Sequence, residues 1–274
     1  MSVSSVRVAA FMVALAMIGL TSCSGPNTAR VGTPEFYWYA AKETYAAGDY
    51  IKTADHLDHL IDNQNEYTAR AVPWSLVLTS GMAAGYMELA DAYTAGARVN
   101  NANALAFRRK AADYRTMASP LVLRFAQNVE KMARVGGGGV QLAFSLPKGT
   151  AAQSALIHQI AGGIPLTAGD EETAQSLTIQ RNVLLAVCAA SGAPNDTART
   201  EEVLGHASAL LPRATFENAL SQMLNAESVL YARDKLDDPE KLDAIRKRAQ
   251  YIASGAARLT DTAGKVTPVE ASVH

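Results

Sequence analysis

Three places in this chain of 274 residues carry side chains whose types and spacing could do chemistry. The first is the run Asp55-His56-Leu57-Asp58-His59-Leu60-Ile61-Asp62. On a helix turning about 100° per residue, Ile51, Ala54, Leu57 and Ile61 form a buried stripe, and Asp55, His59 and Asp62 gather on another face. Three such ligands at i, i+4 and i+7 could hold zinc weakly, but nothing else in the chain supplies an obvious fourth, and a solvated helix face explains the same pattern. The second is Cys188, inside the apolar stretch Asn182-Val-Leu-Leu-Ala-Val-Cys-Ala-Ala190. A nucleophilic cysteine needs a basic, partly exposed setting, whereas this one is placed to fill a core as a small hydrophobe. The third is Gly136-Gly-Gly-Gly139. It lacks the Lys-Ser/Thr that follows a phosphate loop and no strand precedes it, so it reads as the end of a helix and a hinge.

No Ser-His-Asp or Cys-His arrangement assembles from local motifs. His56, His59 and His158 are the histidines a hydrolase would draw on, but the sequence assigns no catalytic residue, implies no cofactor and does not read as an enzyme.

A fourth feature bears on location. Met1 to Arg7 is short, polar and singly basic, and Val8 to Leu20 is an uncharged apolar run of 13 residues. That is short of the roughly 20 residues a spanning helix requires, but it suits the apolar core of an export signal. The run ends in Leu20-Thr21-Ser22-Cys23, an aliphatic residue and two small ones before a cysteine. This resembles the lipobox of bacterial lipoproteins. The resemblance implies cleavage before Cys23, lipid on its sulfur and amine (palmitate among the chains), and anchoring to a membrane. Several acyl chains anchor durably where one holds only marginally. Ser24 follows the cysteine in place of aspartate, which by the same resemblance favours the outer membrane, facing the periplasm. Residues 1–22 are then the signal peptide, and 23–33 a flexible polar tether.

Loss of the leader would remove one arginine and no acid, leaving 24 basic and 26 acidic side chains. That balance argues against a nucleic-acid partner, which normally meets a basic excess. With Cys23 lipidated, Cys188 has no cysteine to pair with, so packing alone must hold the fold.

Helix punctuation recurs through the rest of the chain and strand alternation is nearly absent. Thr33-Pro34-Glu35 is an N-cap, an N1 proline and a first-turn acid, Gly48 stops that helix, and Asp49 caps the next to Asn63. Pro73 opens a third helix ending at Gly96. A fourth runs from Asn101 or Asn103 to Met117, and Ser119-Pro120 starts a fifth ending at Gly136. Thr150-Ala-Ala-Gln153 is a capping box for a helix to Gly162, and Asp170-Glu-Glu172 opens a long one stopping before Gly192. Three more follow, from Asp196 to Leu211, from Arg213 to Lys235, and from Asp238-Pro239-Glu240 to Gly255. Ala71 to Met87 is uncharged throughout, diluted by proline, serine and glycine, and suits a central helix buried on several sides.

Ten helices joined by short loops predict an all-α chain of about five antiparallel helix hairpins stacked as an α-solenoid. The expected halves are 34–135 and 150–257, joined by a Gly-rich hinge or loop at 136–149, with a tail at 258–274. The apolar Val140–Pro147 segment could plug or line a groove. The first hairpin, Tyr37 to Ile61, resembles a tetratricopeptide repeat. Tyr37 stands at its aromatic position, Ala41 at its small position, Gly48-Asp49-Tyr50 at its turn, and Ala54, Leu57 and Leu60 follow on the second helix. Thr44 and Thr53 depart from that pattern, replacing an aromatic and an alanine, and no proline closes the repeat. Gly85 to Gly96 is a weaker echo.

Of the 17 aromatic residues after Cys23, 12 fall between Phe36 and Tyr114. Tyr37, Trp38, Tyr45, Trp74 and Tyr86 are candidates for a ligand or peptide groove, or alternatively fill the core between repeats. The expected function is a lipid-anchored envelope protein whose helical repeats bind a protein or peptide as a scaffold or adaptor. The alternative is a solute- or ligand-handling lipoprotein resembling the helical T-component of TRAP-type transport systems. An enclosed apolar cavity would favour the second and an open groove the first.

Overall fold

The computed structural model describes residues 29–132, 135–205 and 210–264, with side chains as far as residue 256. The expected signal peptide, Cys23 and the last ten residues lie outside the described residues. The protein is mostly helical, with nine α-helices among the described residues and almost no strand. They are α1 Pro34–Ala47, α2 Tyr50–Asp62, α3 Thr68–Val99, α4 Ala104–Met132, α5 Ala155–Ala161, α6 Ala168–Ala190, α7 Thr197–Gly205, α8 Arg213–Ser228 and α9 Pro239–Gly264. A two-residue strand β1, Gly139–Val140, pairs antiparallel with β2, Leu211–Pro212, in the register Gly139 to Pro212.

The first hairpin forms as its punctuation dictates. Thr33 Oγ1 accepts from the Phe36 amide at 3.3 Å and Pro34 occupies the first turn. Gly48 ends α1 at φ +81°, sending its N–H back to the Thr44 and Tyr45 carbonyls. That is the left-handed cap glycine adopts without steric cost. Asp49 then caps α2 through the Lys52 amide. The two threonines that depart from the repeat pattern meet here. Thr53 Oγ1 lies 3.0 Å from Thr44 Oγ1 and 2.8 Å from the Asp49 carbonyl, and Thr44 Oγ1 donates to the Ala40 carbonyl. The hydrogen bonds of this polar pair are satisfied locally. Thr53 accordingly belongs to the buried face of α2 with Tyr50, Ala54, Leu57, Leu60 and Ile61. Ile51, expected in that stripe, stays 57% exposed.

Helix α3 begins at Thr68, so Pro73 stands inside it and does not open it. The expected fourth and fifth helices are one continuous helix, α4, with Pro120 in its interior. An interior proline costs about 3 kcal/mol in isolation, but both halves of α4 pack along α3. Tyr231 also supplies a hydroxyl to the Ser119 carbonyl at 3.2 Å, beside the proline. The expected capping box at Thr150 is not used: Ser154 caps α5, accepting from the Leu156 amide. The helix from Arg213 stops at Ser228 and tightens into a 3-10 turn, Val229–Tyr231, while α9 continues past Gly255 to Gly264.

The centre of the fold is α3. Residues 71–83 are buried without interruption, and α2, α4, α5, α6 and α8 all pack on this helix. Its glycines let partners come close. A Cβ on Gly81 would lie 2.5 Å from Val183 Cα on α6, one on Gly85 3.0 Å from Ile179 Cα, and one on Gly96 2.2 Å from the Ile160 carbonyl oxygen on α5. Sequential partners form at α1–α2, α3–α4 and α8–α9. In contrast α5 and α6 return to α3, which a uniform stack of five sequential hairpins does not do. A helix apolar on every side has to be covered on every side. Among the described residues no helix is long and apolar enough to cross a membrane.

Candidate functional site

Of the five aromatic candidates, Trp38, Tyr45, Trp74 and Tyr86 are buried, and only Tyr37 is half-exposed. Trp74 is the hub. Trp38 and Tyr45 meet it edge-on at 5.5 and 5.3 Å, and Phe144 stacks on it at 5.7 Å. Tyr45 donates its hydroxyl to the Ser145 carbonyl at 3.1 Å, and burial holds that phenol well above its ordinary pKa. The expected aromatic groove is therefore filled from within, because Phe144 of the segment after β1 occupies it. The Gly-rich run is a crossing, pinned at one end by the β1–β2 pair and at the other by Phe144.

The putting-together of Asp55, His59 and Asp62 as ligands does not occur either. Lys131 on α4 binds Asp62 at 2.8 Å, and Arg124 lies 3.8 Å from Asp55 while pairing with Asp58 and donating to the Ala54 carbonyl. His59 stacks on Tyr37 at 4.1 Å. These charges serve the α2–α4 contact, and no group of three metal-binding side chains occurs among the described residues. Cys188 is fully buried on α6. His158 is exposed on α5 and His56 lies near Tyr37, so the histidines do not converge.

A trough lined by polar and aromatic side chains lies between α4 and α6, over the outer part of α3. Sequence reasoning named only Tyr86 from it. Lys110, Asp113, Tyr114 and Met117 of α4 face Glu171, Glu172 and Gln175 of α6 across an open cavity of about 260 Å³. A second cavity of about 110 Å³ continues on the far side of Gln175. It is lined by the Gly48–Ile51 turn, Met82, Tyr86, Ser176 and Ile179.

Three tyrosines form the spine of this trough. Tyr114 stacks on Tyr86 at 6.2 Å and on Tyr93 at 5.7 Å. Tyr93 donates to Glu171 Oε1 at 3.2 Å, and Lys110 Nζ binds Glu171 Oε2 at 2.7 Å. Tyr114 reaches Gln175 Oε1 at 3.5 Å. Burial raises all these phenols. Tyr114 is pushed up to about 12 by burial and then by the Glu171 charge, and Tyr50 to about 12 by burial alone. Tyr93 rises further for the same reasons, and Tyr86 is raised by burial but partly relieved by its hydrogen bond to Gln175.

The trough thus offers neutral phenols, a carboxamide, carboxylates and two exposed apolar ends. Those ends are Ile51, 57% exposed, and Met117, 46% exposed. Such groups set hydrogen-bond donors and acceptors beside apolar surface. The signal that could have found them is the tyrosine spacing on α3 and α4. Tyr86 and Tyr93 are seven residues apart, which is two helical turns.

Larger cavities lie elsewhere. One of about 340 Å³ is bounded by Val129, Met132, Leu220 and Ile252, and a polar one of about 590 Å³ surrounds Asp62, Asn65, Thr68 and Lys131. The protein matches no known protein-family model, no curated protein and no solved structure.

Proposed function

We propose that this chain is an envelope lipoprotein, anchored through Cys23 at the outer membrane and facing the periplasm, whose helical body binds a protein or peptide segment as a scaffold or adaptor. The observation that carries the reading is the order Leu20-Thr21-Ser22-Cys23 behind an uncharged run of 13 residues. That order is what lipid transfer to a cysteine demands. The first hairpin's likeness to a tetratricopeptide repeat supports the binding half. So does the trough at Gln175, whose two lobes open to solvent and suit a chain segment better than an enclosed solute.

The anchor is tested by metabolic labelling with a fatty-acid analogue and mass spectrometry of the mature N-terminus. Lipid on Cys23 in wild type, and an unlabelled protein released from membranes in Cys23→Ala, is the expected pair. An intact leader, or cleavage elsewhere, would sink it. The binding half is tested by placing a photo-crosslinking amino acid at Met117 or Ile51 in cells. A discrete adduct from these sites, and none from the exposed Lys247, is expected. Equal labelling from all three would remove the trough from consideration.

A further inference from the structure

Among the described residues Glu227, 3% exposed, is the only acidic or basic residue that is buried. It occupies the last turn of α8 and faces α3. Ser80 donates its hydroxyl to Oε1 at 2.5 Å, while Oε2 is buried with no hydrogen-bond partner. An ionised carboxylate in that setting would keep one oxygen bare, with nothing to replace its lost hydration. A neutral acid carries its proton on that oxygen instead.

The surroundings do not offset the charge. On α3 the group presented is the Ser80 hydroxyl, and α4 and α6, which also pack on α8, bury Asn128 and Cys188 but no charge. The 3-10 turn contributes Tyr231, whose phenol Glu227 helps to raise. From α9, Arg246 Nε reaches the neighbouring Ser228 Oγ at 3.4 Å. Burial accordingly pushes the Glu227 carboxyl well above its ordinary value of 4.5, and the Ser80 bond pulls the other way by less.

We propose that Glu227 is a proton-controlled latch, holding the α8–α9 hairpin against α3 as a neutral acid and releasing it when the proton is lost to water. The hairpin is built to move as one piece, since α9 packs chiefly on α8. Its departure would uncover Phe216, Leu220 and Leu224, an apolar face that includes one wall of the 340 Å³ cavity. Detached, the glutamate ionises near 4.5, so the latch is fully closed below that pH. It weakens as pH rises through the range up to the pKa of the docked acid. One proton released per opening makes the opening constant rise by up to about tenfold per pH unit.

Amide hydrogen exchange of the whole protein between about pH 6 and about pH 9 reads this directly, after correction for the intrinsic exchange rate. Protection across α8 and α9 should fall with pH while α1 to α3 keep theirs. Glu227→Gln, which cannot ionise, should make hairpin protection independent of pH. Ser80→Ala removes the bond that favours the charged form, so the loss should continue to higher pH before it levels off. A protonated-carboxyl band in the infrared, present near neutral pH and absent from Glu227→Gln, is the independent readout. Hairpin protection that does not vary with pH in wild type, or that falls equally in Glu227→Gln, would overturn the latch. A Ser80→Ala shift toward lower pH would do the same, and so would a missing band.

Discussion

Trp74 on α3 and Phe144 in the segment after β1 stack with ring centroids 5.7 Å apart and planes inclined by 23°. Neither belongs to the same helix or hairpin as the other, so this contact fastens a loop to the largest fully buried side chain of the core. Truncating Phe144 leaves Trp74 facing a void that neighbouring rings cannot fill without leaving their edge-on geometry. Phe144→Ala should lower unfolding stability by about 3 kcal/mol, read as a shift in the urea midpoint. Phe144→Leu should cost less. Limited proteolysis should find new cleavage between residues 136 and 150 in the alanine variant. An unchanged midpoint with no new cleavage would mean the segment is held by β1 alone.

The approach of α6 to α3 depends on Gly81. A methyl there meets the Val183 backbone at 2.5 Å, and a backbone neighbour cannot rotate away. Gly81→Ala should therefore destabilise by about 1–3 kcal/mol despite the better helix propensity of alanine. Gly169, in the first turn of α6, has open space around its missing Cβ and no left-handed backbone. Gly169→Ala should be neutral or slightly stabilising. Parallel thermal melts decide the matter, and equal effects at the two sites would discard the close-crossing argument.

This contrast shows why part of the fold was legible and part was not. Thr33-Pro34, Gly48 and Asp49 act on their own neighbours within four residues, so their caps could be read directly from the chain. By the same local grammar Pro73 and Pro120 mark helix starts, and there the packing of α3 and α4 on each other overrides it. The partner of a helix is not a local property. That α6 returns to α3 follows from Gly81 and Gly85 matching Val183 and Ile179 about 100 positions later, a fit no periodicity encodes. The site fared similarly. Tyr37, Trp38, Tyr45 and Trp74 stood out by density, which is also the mark of a core. Gln175 and Glu171, which shape the trough, look like ordinary helix-surface residues until α6 is placed beside α4.

Arg213 joins the two parts of the chain. Its Nη2 donates to the Met132 carbonyl at 2.9 Å, Nη1 to the Val135 carbonyl, and Nε binds Glu217 at 2.7 Å. One planar fork thus satisfies the end of α4 and the start of α8 together, where lysine has a single rotating ammonium. Arg213→Lys should lose about 1–3 kcal/mol even though charge is conserved, and Arg213→Ala more. Hydrogen exchange should localise the loss to the last turn of α4. A lysine variant indistinguishable from wild type would show that charge, not the fork, matters here.

The tyrosines lining the trough predict the behaviour of the protein in alkali. Tyr114 and Tyr50 hold their protons to about 12 in the folded state, against 10.0 for an ordinary phenol. Between those values the unfolded chain ionises while the folded one does not. The stability these phenols contribute is complete below the ordinary value and is lost as pH climbs toward the folded one. Each can subtract at most about 1.4 kcal/mol per pH unit in that window. Lysines titrate in the same range, so the comparison has to be between variants. Denaturant unfolding of wild type and Tyr114→Phe at rising pH isolates the phenol. The stability gap between them should shift in favour of the phenylalanine variant above the ordinary tyrosine value and be constant below it. A gap that stays level throughout would place the Tyr114 hydroxyl in contact with water, with the trough open to its floor.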